Sequence, residues 1–182
     1  MLQPIPGQIT HGGELADQAL LQSRLQDWQP DLVGTLMFIR VADRVLLIHK
    51  RRGHGAGRIN GPGGKLEPGE SPLDCAVRET LEETGVRAAQ PARVARMRFL
   101  DTEGPDWLGH VFLASGYTGT PVATDEAVPE WFPLAELPLE RMWSDDALWL
   151  PRILAGECLA GDFLFSSGRL RAWTIGPLVH DD

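Results

Sequence analysis

Cysteine is scarce: the chain has two, Cys75 and Cys158, far apart and without metal-type spacing. They read as two reduced thiols of a cytoplasmic protein, not as a disulfide framework or a zinc site. Long apolar runs are missing too. No segment approaches the roughly 18 uncharged apolar residues that a membrane span needs, so no membrane association is expected. The opening stretch, "MLQPIPGQITHGG", lacks the basic start and apolar core of a secretory signal. Positive charge is in deficit, with a net charge of −8 and a pI near 5.1. A sequence-independent grip on duplex DNA or RNA requires the opposite balance, and no basic stripe stands in for it. A nucleic-acid polymer is therefore not an expected partner. A phosphorylated small molecule stays compatible, because a bound divalent cation reverses the field locally. Internal repeats and low-complexity tails are absent.

What is present suits one domain. The 182 residues are long enough for a proper core and short for two, and 43% hydrophobic content is ordinary for a globular protein. From Glu14 to Trp28, the residues Leu21, Leu25 and Trp28 share one face at helical spacing, and Pro30 stops the segment. "LVGTLMFI" and "DRVLLIHK" read as a strand hairpin turning near Arg40 to Asp43. "RRGHGAGRINGPGGKLEPGES" is loop by its glycines and prolines. A helix then runs from its Ser71 cap, through Pro72 at the first position and Asp74 completing a capping-box-like pattern, to a left-handed stop at Gly85. Further strands are expected in "ARVARMRFLD", "LGHVFLASGY" and "EWFPL", with a helix near Asp146 to Glu157 and a closing hairpin in "DFLFSSGRLRAWTI". The expected class is α/β (α+β), a mixed sheet between helices.

The central helix poses a physical question. Leu73, Ala76, Val77, Thr80, Leu81 and Thr84 form the expected core-facing stripe, and Glu79, Glu82 and Glu83 share the other side. Like charges three and four apart repel by a few tenths of a kcal/mol per pair. A solvated acidic face is one reading. The other is that the carboxylates converge as hard oxygen ligands for Mg²⁺, or Mn²⁺ in its place, after a glycine-rich loop whose carbonyls also contribute.

Gly64, Glu70 and "RETLEETGV" (Arg78 to Val86) are similar to the Nudix box of the MutT/Nudix hydrolases. The box glycines, glutamates and arginine are all in place; Thr80 stands where an aliphatic residue is usual. The resemblance implies a Nudix fold over residues 32–182 and a divalent-cation-dependent hydrolase that splits phosphoric anhydrides; residues 1–31 lie outside it as an N-terminal extension, helical by its own periodicity. It also implies metal ligands at Glu79, Glu82 and Glu83, joined by Gly63 and Glu126. Glu70 would pair with Arg78 to brace the loop–helix turn.

"KRRGHGAGRINGPGGK" (Lys50 to Lys65), "GTPVATDEAVPEWF" (Gly119 to Phe132) and "RMWSDDALW" (Arg141 to Trp149) resemble the subgroup that hydrolyses oxidised purine nucleoside triphosphates such as 8-oxo-dGTP and 2-oxo-dATP to monophosphate and pyrophosphate. That resemblance implies a base pocket: Asn60 bonding the purine, Asp145 and Asp146 reading its other edge, Trp143 stacking on it, and Thr35, Lys50, Phe99 and Trp149 lining it. Two adjacent aspartates in a partly dry pocket cannot both ionise easily, so one offers a donor as well as acceptors.

Simpler roles stand beside these. Ser144, Asp145 and Asp146 suit a helix cap, and Asn60 before Gly61 suits a turn. His54, where the subgroup has an aromatic, reads as a loop residue rather than a general base. His11, His49, His110 and His180 show no ligand spacing. Ser144 replaces a usual proline, and Pro62 replaces a larger apolar residue. Other Nudix substrates, among them ADP-ribose, a dinucleoside polyphosphate or an unmodified nucleotide, and a nucleotide-binding module without catalysis are the alternatives. The oligomeric state is expected to be monomer or homodimer.

Overall fold

The computed structural model describes residues 7–179; His180 and residues 1–6 of the expected N-terminal extension lie outside the described residues. Strands β1 (Thr10–Gly13), β2 (Leu32–Val41), β3 (Arg44–Lys50), β4 (Ile59–Asn60), β6 (Ala92–Asp101), β7 (Trp107–Ala114), β9 (Ala127–Pro133), β10 (Leu159–Ser166) and β11 (Arg169–Pro177) form one sheet in the order β1-β11-β10-β6-β7-β2-β3-β4, with β9 also on β3. It is mixed: β2 runs parallel to β7 and β6 parallel to β10, and the other pairs are antiparallel. Strands β5 (Val86–Ala89) and β8 (Gly116–Gly119) make a separate two-stranded ribbon.

Alternation along the strands divides the core. On β2, Met37 and Ile39 face helix α2 (Pro72–Thr84), whereas Phe38 joins Trp149, Leu150 and Ile153 of helix α3 (Asp146–Leu154) on the opposite face. Helix α1 (Leu15–Arg24) lies on the α2 side, where Leu21 packs with Leu100, Leu164 and Ala172. The expected sandwich of a mixed sheet between helices is thus observed. The expected hairpins are β2–β3 and β10–β11. Three features differ from expectation. The glycine-rich loop contributes the short strand β4, "LGHVFLASGY" splits after Ala114 so that its end pairs with the unforeseen β5, and β1 precedes the N-terminal helix and extends the sheet along β11. Each is only two to four residues long, and it exists because of a distant partner rather than a local pattern.

The N-terminal segment is tied to the strand that opens at Trp107. Arg24 Nη2 donates to both carboxylate oxygens of Asp106 at 2.8 and 2.9 Å, Trp28 Nε1 donates to Asp106 Oδ2 at 2.9 Å, and the Asp101 amide donates to Oδ1 at 3.0 Å. Asp106 is 7% exposed. Without this carboxylate the Trp28 indole and the Asp101 amide lose their acceptor, whereas Arg24, 30% exposed, keeps the Asp101 carbonyl. Asp106→Ala is expected to cost about 2 kcal/mol of stability, read as a lower urea midpoint at unchanged slope.

Helix α2 begins and ends as its sequence requires. Ser71 Oγ accepts the Asp74 amide at 3.1 Å, Pro72 opens the first turn, and Gly85 takes φ 75° with its amide donated to the Leu81 carbonyl at 2.8 Å. Its buried face is rotated from the expected stripe. Leu73 and Leu81 are 41% and 43% exposed, whereas Cys75, Ala76, Thr80, Glu83 and Thr84 are buried. Small side chains let the helix approach β2, and the Thr80 hydroxyl is satisfied by the Ala76 carbonyl at 2.6 Å. On the carboxylate side, expected to face away from the core, Glu83 and Glu79 are covered by the glycine-rich loop, whereas Glu82 stays exposed.

Candidate active site

That covering is close. A Cβ on Gly63 would stand 1.9 Å from the Thr35 carbonyl oxygen, and one on Gly64 would stand 2.3 Å from the Glu79 carboxyl. Only glycine lets the loop pass between β2 and α2. Glu83, 0% exposed, accepts the Gly63 amide at 2.9 Å and Lys50 Nζ at 2.8 Å, and Lys50 Nζ also reaches the Gly63 carbonyl at 3.4 Å. Arg78 joins the remaining acids. Its Nε and Nη2 hold Glu70 bidentately at 2.8 and 2.9 Å, and its Nη1 reaches Glu79 at 2.9 Å and Glu82 at 3.1 Å. The arginine hydrogen bond holds the Glu70 carboxyl down at about 2. Burial pushes Glu79 up, opposed by Arg78 and reinforced by the charges of Glu83 and Glu82.

Repulsion among the three helix glutamates is therefore offset by two protein cations. Among the described residues no three acidic, histidine or cysteine side chains converge on one point in this arrangement. The donor set nevertheless suits a hard divalent cation: carboxylate oxygens of Glu79, Glu82 and Glu83 and the Gly63 carbonyl border a region already held by positive charge. The carboxylate of Glu126, the further expected ligand, is paired with Arg52. Behind the loop, the Thr35 hydroxyl donates to Cys75 Sγ at 3.4 Å, and Cys75 Sγ to the Lys65 carbonyl at 3.4 Å. Burial raises this thiol to about 11. Thr35 and Cys75 thus support the loop from the α2 face, whereas Thr35 was expected to line the base pocket.

A second cluster lies at the N-terminus of α3, on the other face of the sheet. Asp145 and Asp146 are 3% and 2% exposed. Asp145 Oδ2 accepts Trp149 Nε1 at 2.9 Å and Asp146 Oδ2 accepts the Trp143 amide at 2.9 Å, so Asp145 makes no capping bond of the ordinary kind. Burial raises both carboxyls; Asp146 is raised further by the charge of Asp145, whereas the indole bond favours ionised Asp145. Trp149 is fully buried and edge-on to Phe38 at 5.9 Å, so it positions Asp145 rather than lining a cavity. Asn60 Oδ1 accepts the Gly61 amide at 2.8 Å, the expected turn bond. Phe99 stacks on Phe163 at 5.4 Å at the edge of the α3-side core.

The aromatic part of this cluster extends beyond Trp143. His54 stacks on Trp143 at 5.2 Å and on Trp107 at 5.3 Å, and Arg58 Cζ lies 4.3 Å over the Trp143 ring. Trp107 had no periodic signal to mark it. The clue lay in pairing, since it stands opposite Phe99 across β6 and β7.

Comparison with known proteins identifies the family. The NUDIX domain model matches residues 30–153. The chain is 39% identical over 132 residues to the oxidized purine nucleoside triphosphate hydrolase of Mus musculus, covering 72% of this chain and 85% of the relative. It is 40% identical over 134 residues to the protein of the same description from Danio rerio, with the same coverage. Among solved structures, a MutT protein from Bacillus halodurans superposes with a TM-score of 0.67 at 27% identity, over 79% of this chain and 97% of that one. Nudix hydrolases generally use divalent metal cations. With its box carboxylates gathered on α2 and a family match over most of its length, the chain belongs to the Nudix hydrolases and is a hydrolase of phosphoric anhydrides.

Proposed function

We propose that this enzyme is a magnesium-dependent hydrolase of oxidised purine nucleoside triphosphates, of the 8-oxo-dGTP and 2-oxo-dATP type, releasing monophosphate and pyrophosphate and so clearing damaged nucleotides from the pool. The observation that carries the reading is the buried Asp145–Asp146 pair, with its raised carboxyls, beside Trp143 and across the sheet from the α2 carboxylates. The names of the mouse and zebrafish relatives support it.

The residues divide the work. Trp143 offers a ring face on which any purine stacks, worth about 1–3 kcal/mol. Asn60 donates to an acceptor of the base, and the aspartate pair presents one protonated and one ionised carboxyl to the opposite edge. Moving that single proton between Asp145 and Asp146 exchanges donor and acceptor, which lets one pocket take an oxidised guanine or an oxidised adenine. Glu79, Glu82, Glu83 and the Gly63 carbonyl would hold Mg²⁺. When bound, the cation polarises the phosphoryl oxygens and neutralises charge on the leaving pyrophosphate. Lys50 Nζ brings a further positive charge to the phosphate side, and Arg78 with Glu70 keeps the loop–helix turn rigid beneath it.

Incubation of 8-oxo-dGTP with Mg²⁺ is expected to yield 8-oxo-dGMP and pyrophosphate in equal amounts. A chelator stops the reaction, and added Mn²⁺ restores it. Release of orthophosphate as the first product, or an unchanged rate in chelator, contradicts the proposal.

A further inference from the structure

The imidazole of His54 lies at 14° to the Trp143 plane and 28° to the Trp107 plane, with centroids 5.2 and 5.3 Å away, so it stacks on both indoles. Cations lie over both indoles: Lys65 Nζ is 5.3 Å from the Trp107 centroid and Arg58 Cζ is 4.3 Å from that of Trp143. The imidazole nitrogens hydrogen-bond to no described residue, and the residue is exposed at its open edge. Its neighbours Gly53 and Gly55 have φ of +76° and +81°. The loop is closed by backbone hydrogen bonds from the Ala56, Gly57 and Arg58 amides to the Gly53, Lys50 and Gly55 carbonyls at 3.2, 2.8 and 3.0 Å. Partial burial, followed by the charges of Lys50 and Lys65, favours the neutral ring here.

We infer that His54 is a self-supplied occupant of the base slot, and that nucleotide binds by exchanging its purine for the imidazole between Trp107 and Trp143. This rests on the reading that Trp143 stacks on the base. An imidazole and a purine present π faces of the same thickness, so one slot holds one of them. The exchange trades stacking for stacking, and no hydrogen bond resists it. The purine prevails because it covers more of each indole and reaches Asn60 and the aspartate pair, which the imidazole leaves alone. The cost of moving His54 is the same for every nucleotide, so it scales all affinities together and leaves the ranking of bases to the polar groups.

The test combines proton NMR of the His54 ring, assigned by comparison with His54→Ala, with the steady-state kinetics of both proteins. In the free enzyme the His54 ring protons are expected upfield of a solvated histidine, shifted by two indole ring currents. On saturation with 8-oxo-dGMP they are expected to return to the solvated position. His54→Ala is expected to lower KM by about tenfold, the effect of two ordinary aromatic contacts, equally for 8-oxo-dGTP and dGTP and with kcat little changed. A solvated position in the free enzyme overturns the inference. So does a ring that stays upfield in the complex, or a KM that rises in His54→Ala, since either makes His54 a permanent wall. Displacement by ADP-ribose but not by 8-oxo-dGMP upholds the exchange and overturns the oxidised-purine reading instead.

Discussion

Glu83→Gln is expected to lower kcat by about a thousandfold with the fold preserved, as expected for loss of a group that stabilises charge at the reacting phosphate. Glu83 is the most enclosed of the three helix glutamates: its side chain is 0% exposed, against 15% for Glu79 and 53% for Glu82. The amide keeps the shape and still accepts the Gly63 amide proton, so the loop remains seated on the helix. What it loses is the negative charge that holds Lys50 and would hold a divalent cation. The released ammonium can follow its flexible stem toward solvent, which limits the stability cost. Thermal melts of the two proteins should be close while turnover differs by orders of magnitude. Near-normal turnover would remove Glu83 from the metal site, and with it the explanation for three clustered glutamates.

Asp145→Asn is expected to cut kcat/KM for 8-oxo-dGTP by about a hundredfold, the cost of leaving a polar base edge unpaired, without altering the Mg²⁺ requirement. Asparagine still accepts Trp149 Nε1, so the helix terminus holds its geometry. It cannot ionise, and the proton of the pair can no longer move between the two positions. The same substitution has an opposite effect on stability. Both carboxyls are raised by burial, so the native state holds protons that the unfolded chain has released. The stability attached to them is fully present below the ordinary carboxyl pKa and is lost as pH rises through the raised values. Melting temperature should therefore be less sensitive to pH between about 4 and 7 in Asp145→Asn than in the parent protein. A variant with an unchanged ranking of nucleotides would show that the pair does not read the base.

The residues that were legible in sequence are those whose roles are local. The Ser71 cap and the Gly85 stop lie within one helix, where spacing determines geometry, and the Glu70–Arg78 pair was implied by the resemblance of the box. Burial of Glu83 was not legible in this way. An apolar stripe counts Leu73 and Leu81 as inward, but the loop at Gly63 and Gly64 covers the acidic side, and that contact depends on where β2 runs. Trp149 belongs to the right neighbourhood but acts one layer back, on Asp145, and Thr35 bonds Cys75 on the α2 face instead of lining the base pocket, because burial and side-chain direction are tertiary properties. The stack of Trp107, His54 and Trp143 joins a strand start, a glycine loop and a helix entrance, and no periodicity connects three such positions.

The most direct measurement is kcat/KM with Mg²⁺ for dGTP, 8-oxo-dGTP, dATP, 2-oxo-dATP and ADP-ribose, on the parent enzyme and on Asp145→Asn. The oxidised triphosphates are expected to lead for the parent enzyme, with that lead collapsing in the variant. Equal turnover of oxidised and unmodified purines, or a preference for ADP-ribose, would contradict the account of the pocket and leave the Nudix chemistry in place.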